Sequence, residues 1–116
     1  MSDILVERDG PIATVVINRA AKLNAMTKPM WRALGESISE LSADDSVRCI
    51  ILRGAGEKSF SHGNDISEFE TDRSNREQAI EYGRIMHATA AALENCRHPM
   101  VAQIHGICVG GGLEIA

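Results

Sequence analysis

Three consecutive glycines after an apolar strand constrain the fold of this chain more than any other feature. Residues 100–104 are mostly apolar, Gly110, Gly111 and Gly112 follow after a turn, and Glu114 comes next. Consecutive glycines lose backbone entropy on folding and contribute no packing, so the pattern predicts that a ligand approaches bare N–H groups where a helix begins. Those N–H groups lack partners within the helix and can hold a negatively charged oxygen. The alternative is a tight strand-to-helix turn whose acid suits the helix dipole.

Strand and helix patterns alternate along the chain, which predicts an α/β fold with parallel strand pairing. Residues 47–53 are almost continuously apolar, as is typical of a strand covered on both faces. The first half is predicted to contain a hairpin of strands at 4–8 and 12–17 about Asp9-Gly10 and a loop at 20–26. A helix is predicted from a Thr27 cap and Pro29 to about Leu41, with Met30, Leu34, Ile38 and Leu41 on one face. The second half is predicted to contain the strand at 47–53, a loop at 54–58 and a strand at 100–104. Between the loop and the last strand, a Ser74–Glu77 capping box predicts a helix that ends at about Asn95. The apolar residues of its later part are Ile80, Ile85, Met86, Ala90 and Leu93.

Charge and cysteine content exclude several classes of partner and compartment. The formal net charge of −4 disfavours nucleic acid or an anionic membrane surface as the main partner. Cys49, Cys96 and Cys108 are odd in number and lack metal-ligand spacing, so we expect reduced core residues in a cytosol-like compartment. The sequence begins without a signal-peptide pattern and contains no run of about 20 apolar residues. A cytoplasmic protein with no membrane partner is the expectation.

A second glycine-containing segment, residues 58–69, follows the strand at 47–53 by a short loop. Open α/β sheets bind ligands at this carboxyl end of their strands. His62, Asn64 and Ile66 alternate, so in an extended conformation they point to the same side. Gly63 permits an unusual backbone angle that would turn the Asn64 N–H outward. Two glycine turns after two strands therefore predict a pair of converging N–H donors, which is how an oxyanion hole is built.

Three segments in this order resemble the enoyl-CoA hydratase/isomerase family, the crotonase superfamily. Residues 21–26 (Ala-Lys-Leu-Asn-Ala-Met) resemble its coenzyme A contact loop, and residues 60–66 (Phe-Ser-His-Gly-Asn-Asp-Ile) resemble its first oxyanion segment. Residues 99–114, ending in Gly-Gly-Gly-Leu-Glu, resemble its second oxyanion segment. The resemblance implies a layered, crotonase-like α/β fold. Because Leu113, Ile115 and Ala116 read as a helix that has just begun, we expect residues 1–116 to be the N-terminal portion of one such domain, with its C-terminal portion absent from this sequence.

The resemblance also implies a role for individual residues. The backbone N–H groups of Asn64 and Gly111 would hold a thioester oxygen, and Glu114 matches the first of two catalytic glutamates in the hydratases. The expected substrate-binding residues are Ala21, Leu23, Ala25, His62, Asn64, Asp65, Ile66, Gly110 and Gly111. The chain departs from the family pattern in three ways: Ala21 stands where a basic residue is usual, with Lys22 next to it, Asn64 stands where alanine is common, and His62 replaces a small residue.

The activity implied by the resemblance is hydration of a 2-enoyl-CoA. An enoyl-CoA isomerase, an acyl-CoA hydrolase and a non-catalytic CoA-binding or assembly subunit are the alternatives, and the missing second acid would discriminate among the enzymes. The coenzyme A thioester is the substrate, and no cofactor or metal is implied. A homo-oligomer, either a trimer or a dimer of trimers, is expected for the complete protein, whereas the 116-residue chain alone is expected to be inactive.

Several residues that suggest chemistry have simpler interpretations. His62, His87, His98 and His105 share no ligand-like spacing, so surface or core roles are favoured. The acidic cluster of Asp65, Glu68, Glu70 and Asp72 lacks the glycine-punctuated calcium-loop pattern, which favours a solvated loop or helix start. Asp65 is expected to cap backbone donors in its own loop. Cys108 is expected to pack in the core, because no base is placed beside it by the sequence.

Overall fold

The computed structural model describes residues 2–116. Its strands are β1 (Ile4–Asp9), β2 (Ile12–Ile17), β3 (Cys49–Gly54), β4 (Ser59–Ser61), β5 (Met100–Gln103) and β6 (Ile107–Cys108). Its helices are α1 (Lys28–Ala43), α2 (Phe69–Asp72), α3 (Arg76–Glu94) and α4 (Gly111–Ile115), with 3-10 turns at Ala20–Lys22 and Ile66–Glu68. Among the helices of residues 2–116, none combines the length and the apolar character that a membrane span requires.

The larger sheet has the strand order β1-β2-β3-β5. β1 and β2 form the predicted antiparallel hairpin, in which Gly10 adopts a φ of +59° at the turn. β2 pairs with β3 in parallel, and β3 pairs with β5 in parallel. β4 and β6 form a separate parallel pair. The predicted α/β order with parallel pairing is confirmed.

Helix α1 covers one face of the larger sheet and supplies much of the core. The Thr27 hydroxyl accepts a hydrogen bond from the Met30 N–H at 3.3 Å, and Pro29 lies in the first turn, as predicted. The buried residues of the helix are Met30, Trp31, Leu34, Ile38 and Leu41. Each such side chain contributes about 1.5–3 kcal/mol when removed from water. The predicted apolar face of this helix is confirmed, and Trp31 extends it.

The prediction that β3 is covered on both faces is wrong for the described part of the chain. Ile50 and Leu52 are buried against the α1 side, whereas Cys49, Ile51 and Arg53 on the other face are only half-buried. Val101, paired with Ile51 on that second face, is 53% exposed. A continuous apolar run shows that both faces of a strand can be buried. Whether each face is buried depends on the elements that pack against it.

Helix α3 begins one residue later than the predicted cap indicates. Asn75, not Ser74, is the N-cap residue, and its side-chain oxygen accepts from the Gln78 N–H at 2.8 Å. Ser74 instead donates its hydroxyl to the Gln78 side chain at 2.8 Å. The predicted apolar side is also only partly buried, because Ile80 is 51% exposed and Tyr82 is buried in its place.

Candidate active site

A buried asparagine holds the predicted contact loop in an unusual backbone conformation. Leu23 and Asn24 have φ values of +54° and +57°, in the left-handed region. The Asn24 side chain is fully buried, and its amide donates to the carbonyl oxygens of Ala55 at 3.0 Å and Ser59 at 2.8 Å. Its side-chain oxygen accepts from the Arg19 N–H at 2.9 Å. This loop is therefore fixed to the carboxyl end of β3 and to β4.

Ala21 and Leu23 line a cavity of about 470 Å³ between this loop and residues 55–59. Lys58 lines the same cavity, so a cation lies near the position where Ala21 replaces a basic residue. Ala25, in the same loop, is buried and is not among the residues that line this cavity. The structure thus places Ala21 and Leu23, but not Ala25, beside a cavity of the size that small-molecule sites occupy.

The Gly63 segment presents one free backbone donor. Gly63 has a φ of +94°, which confirms the predicted unusual angle. The Gly63 carbonyl oxygen accepts from the Met26 N–H at 2.6 Å, and the Asp65 N–H donates to the Met26 carbonyl oxygen at 2.8 Å. Because alternate N–H groups of extended backbone point in opposite directions, the Asn64 N–H faces away from Met26. It donates no hydrogen bond to any group of residues 2–116.

The triple glycine forms the start of α4. Gly110 has a φ of +52°, in the left-handed region. A Cβ at Gly112 would overlap the carbonyl oxygen of Ser61 on β4, so this position requires close backbone packing. The Gly112 N–H donates to the Val109 carbonyl oxygen at 2.9 Å, whereas the Gly111 N–H has no acceptor within the described chain. Packing of α4 on β4 therefore leaves the Gly111 N–H available.

The two glycine segments lie against each other. A Cβ built on Gly63 would be 3.2 Å from the Gly111 nitrogen, and one built on Gly111 would be 3.6 Å from the Asn64 side-chain oxygen. Residues 63–64 and 110–111 follow the paired strands β4 and β6, and this brings them together. The two N–H groups without acceptors, on Asn64 and Gly111, belong to these adjoining segments.

Glu114 lines a second cavity, of about 540 Å³, between α3 and α4. Its carboxylate is exposed and forms no hydrogen bond or ion pair within the described residues. The other lining residues are Trp31, Gly83, Met86, His87, Ala90, Leu93, Glu94 and Ile115. Apart from the two acids and His87, this lining is mainly apolar, so a carboxylate stands at the edge of a site suited to a hydrocarbon group.

Asp65 joins the Gly63 segment to the contact loop. One carboxylate oxygen accepts from the Ser67 hydroxyl at 2.7 Å and from the Ser67 N–H at 2.9 Å, while the other pairs with Arg19 at 2.7 Å. The hydrogen bond from the Ser67 hydroxyl, followed by that from Arg19, lowers the pKa of Asp65 to about 2. The predicted capping role of Asp65 is confirmed, and the Arg19 ion pair is an addition that the sequence did not indicate.

The expected alternation of His62, Asn64 and Ile66 ends before its last member. The side chain of Asp65 starts a 3-10 turn at Ile66, so the backbone is no longer extended there. Ile66 is 75% exposed and His62 is also exposed, whereas Asn64 is half-buried. The prediction that all three side chains share one side of an extended segment is therefore wrong at Ile66.

Four other titratable residues, Glu68, Tyr82, His98 and His105, have structural partners. Glu68, in the acidic cluster, accepts from the Lys28 N–H at 2.9 Å and from the Tyr82 hydroxyl at 2.7 Å. Burial, together with the bond to Glu68, raises the pKa of Tyr82. His98 Nε2 lies 2.9 Å from the Leu41 carbonyl oxygen, and His105 Nε2 lies 2.7 Å from that of Gly56.

The three cysteines are free thiols and are half-buried. Cys108 packs against the hydrophobic core, as predicted. Within residues 2–116, no three His, Cys, Asp or Glu side chains form a group able to hold a metal ion.

Sequence reasoning missed Trp31, Asn24 and Arg19 at this site. The indole Nε1–H of Trp31 donates to the Asn64 side-chain oxygen at 2.7 Å, so this tryptophan contacts the predicted oxyanion segment directly. The helical spacing shows only that Trp31 neighbours the buried face of α1. For Asn24, the tolerance of asparagine for positive φ is the one available signal.

Known proteins are similar to this chain in both sequence and fold. Residues 12–116 match the family model for enoyl-CoA hydratase/isomerase. The chain is 35% identical over 116 residues to a short-chain-enoyl-CoA hydratase of Clostridium acetobutylicum, covering 100% of this chain and 44% of that protein. It is 32% identical over 116 residues to the mitochondrial 3-hydroxyisobutyryl-CoA hydrolase of Bos taurus, covering 99% of this chain and 30% of that protein.

A solved structure gives the same result for the fold. The crystal structure of an enoyl-CoA hydratase/carnithine racemase from Magnetospirillum magneticum matches with a TM-score of 0.96 and 48% identity, covering 100% of this chain and 43% of that chain. The present chain thus spans less than half the length of these relatives. The match over residues 12–116, together with the paired glycine segments, shows that the chain belongs to the enoyl-CoA hydratase/isomerase family and has the crotonase-like α/β fold.

Proposed function

We propose that the Asn64 and Gly111 N–H groups form the oxyanion hole of an acyl-CoA enzyme. The observation that carries this proposal is the contact between the two glycine segments, with 3.2 Å between a Cβ on Gly63 and the Gly111 nitrogen. Both N–H groups lack acceptors within residues 2–116, and the neighbouring residues Gly63, Asp65 and Gly112 are held by backbone hydrogen bonds. Removing one such donor from an enzyme costs about 2.7–4 kcal/mol of transition-state stabilisation.

The reaction that we propose for the complete protein is addition of water to a 2-enoyl-CoA. The Glu114 carboxylate accepts a proton from water as the water oxygen attacks the β-carbon. Electrons move from the carbon–carbon double bond to the thioester oxygen, which the two N–H groups stabilise as an enolate. Transfer of that proton from Glu114 to the α-carbon then gives the 3-hydroxyacyl-CoA and restores the Glu114 carboxylate. The hydrocarbon part of the acyl group would lie in the mainly apolar cavity beside Glu114.

The remainder of the substrate is proposed to follow the contact loop and the Gly63 segment. Ala21, Leu23 and Ala25 belong to the contact loop. Lys58, which lines the cavity beside this loop, supplies a cation for a phosphate. The other proposed substrate-binding residues are His62, Asn64, Asp65, Ile66, Gly110 and Gly111. Of these, Asp65 acts by holding the two segments together through Arg19. The thioester is the substrate, and the proposed chemistry uses no cofactor or metal.

A 3-hydroxyacyl-CoA or acyl-CoA hydrolase is the second candidate, because a relative at 32% identity is a 3-hydroxyisobutyryl-CoA hydrolase. An enoyl-CoA isomerase is the third, since the family description includes isomerases. All three reactions develop negative charge on the thioester oxygen and would use the same two N–H groups. We also propose that the complete protein is cytoplasmic and forms a homo-oligomer, either a trimer or a dimer of trimers.

The test is to assay the purified full-length protein against three substrates. Crotonyl-CoA measures hydration, a 3-enoyl-CoA measures isomerisation, and 3-hydroxyisobutyryl-CoA measures release of free coenzyme A. We expect hydration of crotonyl-CoA to have the highest kcat/KM. Faster turnover of either other substrate would replace the hydratase assignment while retaining the oxyanion hole. A protein that turns over none of them and binds no acyl-CoA would contradict the whole proposal.

A further inference from the structure

Trp31 is held firmly in place by two helices. It lies in the first turn of α1, its side chain is only 3% exposed, and its N–H donates to the Thr27 carbonyl oxygen at 3.0 Å. Its own carbonyl oxygen accepts from the Thr89 hydroxyl of α3 at 2.5 Å. The backbone of Trp31 is therefore held at the contact between α1 and α3, and its ring is buried.

The same ring contacts both residues that carry the proposed oxyanion donors. Its Nε1–H donates to the Asn64 side-chain oxygen at 2.7 Å. Its Cζ2 atom lies 3.2 Å from the position that a Cβ on Gly111 would occupy. The indole thus touches the Gly63 segment with its polar edge and the start of α4 with its six-membered ring.

The bond to Trp31 also fixes the orientation of the Asn64 amide. Indole nitrogen is a donor only, so the oxygen of Asn64 must face the ring and the NH2 group must face away from it. That NH2 group lies 3.9 Å from the Met86 sulfur, and Met86 lines the cavity that contains Glu114. Met26 bonds to the Gly63 carbonyl oxygen and the Asp65 N–H, so residue 64 is held through its side chain and through both backbone neighbours.

We propose that Trp31 is a positioning residue that sets the relative placement of the Asn64 and Gly111 N–H groups. This inference rests on the proposed function and adds to it a residue outside the three segments that resemble the family. Oxyanion donors act only when held within about 0.5 Å of the productive geometry, so a rigid ring in contact with both segments controls the rate. Because the ring acts through Asn64, its effect depends on the Asn64 side chain.

The test is a double-mutant cycle in the full-length protein with crotonyl-CoA as substrate. Trp31→Phe keeps a ring but removes the N–H, and Asn64→Ala keeps the backbone N–H but removes the acceptor. We expect each single variant to lower kcat by about three- to tenfold, the range set by one hydrogen bond, with KM within about twofold. The double variant should be no slower than the slower single variant, because both changes remove the same bond.

Ile38→Val is the matched control, since Ile38 is fully buried on the same helix and forms no part of the site. It should lower the unfolding midpoint and leave kcat unchanged. If Trp31→Phe does not fold, Asn64→Ala alone must still lower kcat. Multiplicative losses in the double variant, or unchanged kcat in Asn64→Ala, would overturn the inference while leaving the oxyanion hole intact. A wild-type protein without turnover or acyl-CoA binding would overturn both.

Discussion

The carboxylate of Glu114 is exposed beside an apolar cavity and forms no bond that would explain it as a structural residue. We predict that Glu114→Gln in the full-length protein lowers kcat by about 10²- to 10⁴-fold, because a carboxylate acting on water works in the transition state. Acyl-CoA affinity should stay within a few fold. Steady-state hydration and calorimetric titration with butyryl-CoA measure the two quantities.

The matched control for this prediction is Glu77→Gln. Glu77 is also an acid in the first turn of a helix, so it shares any stabilising effect of the helix dipole. We expect it to leave turnover unchanged. If both substitutions have equally small effects on turnover, Glu114 is not catalytic and only interacts favourably with the helix dipole.

Gly111 has little space for a side chain. A Cβ there would lie 3.2 Å from Trp31 Cζ2 and 3.6 Å from the Asn64 side-chain oxygen. We predict that Gly111→Ala reduces kcat moderately and that Gly111→Val impairs both binding and turnover more severely, because a branched side chain displaces the ring or turns the N–H away. Normal hydration by the valine variant would show that Gly111 is not an oxyanion donor.

Asp65 gives the molecule a pH-dependent contribution to stability. Its pKa is about 2 in the folded protein against an ordinary value of 3.8, so the folded state favours the charged form. The stabilisation is present above about pH 4 and is lost as the pH falls toward 2. Urea unfolding should show Asp65→Asn destabilised near neutral pH, with the difference from wild type shrinking across this interval. A difference that is constant with pH would contradict the Arg19–Asp65 and Ser67 bonds as its cause.

Among the elements, the start of α1 and the middle of α3 are joined by one carboxylate. Glu68 accepts from the Lys28 N–H and the Tyr82 hydroxyl, and Arg73 lies 4.9 Å from the centre of the Tyr82 ring. We predict that Glu68→Ala lowers the free energy of unfolding by about 1–3 kcal/mol, because it leaves a buried hydroxyl without an acceptor. Chemical denaturation measures this loss.

Glu70→Ala is the corresponding control, since Glu70 is exposed and has no hydrogen bond or ion pair within the described residues. It should change stability by less than about 0.5 kcal/mol. If Glu68→Ala is equally mild, the segment from Ile66 to Asp72 is not anchored through this residue.

In the molecule as a whole, the larger sheet ends at β5, which pairs only with β3 among the described strands. Val101 on β5 and Ile104, directly after it, are about half exposed, at 53% and 50%. An apolar edge strand of this kind promotes association. A polypeptide of residues 1–116 alone should therefore self-associate and be a poor catalyst, as sedimentation and hydration assays would detect. Val101→Lys should reduce the association. A monodisperse monomer of 12.6 kDa with full hydratase activity would contradict this prediction.

Local features of the fold followed from the sequence because single residues or short repeats encode them. The cap at Thr27, the turn at Gly10 and the positive φ of Gly63 each depend on the chemistry of one residue. The cap of α3 was misplaced by one residue because Ser74 and Asn75 are both good caps and adjacent. The buried face of α1 was predicted from spacing, whereas the exposure of the second face of β3 was not.

The sequence by itself determined the alternating α/β order, the family and the two glycine segments, because spacing and backbone freedom are properties of short stretches of chain. Only the tertiary structure decided which side chains meet between those stretches. The bond from Trp31 to Asn64 joins residues 33 positions apart, and the Arg19–Asp65 pair joins residues 46 apart. Such contacts depend on the angle and offset at which helices and strands pack, to within about an ångström. No local sequence pattern specifies this packing geometry. The packing geometry nevertheless sets the position of both proposed oxyanion donors.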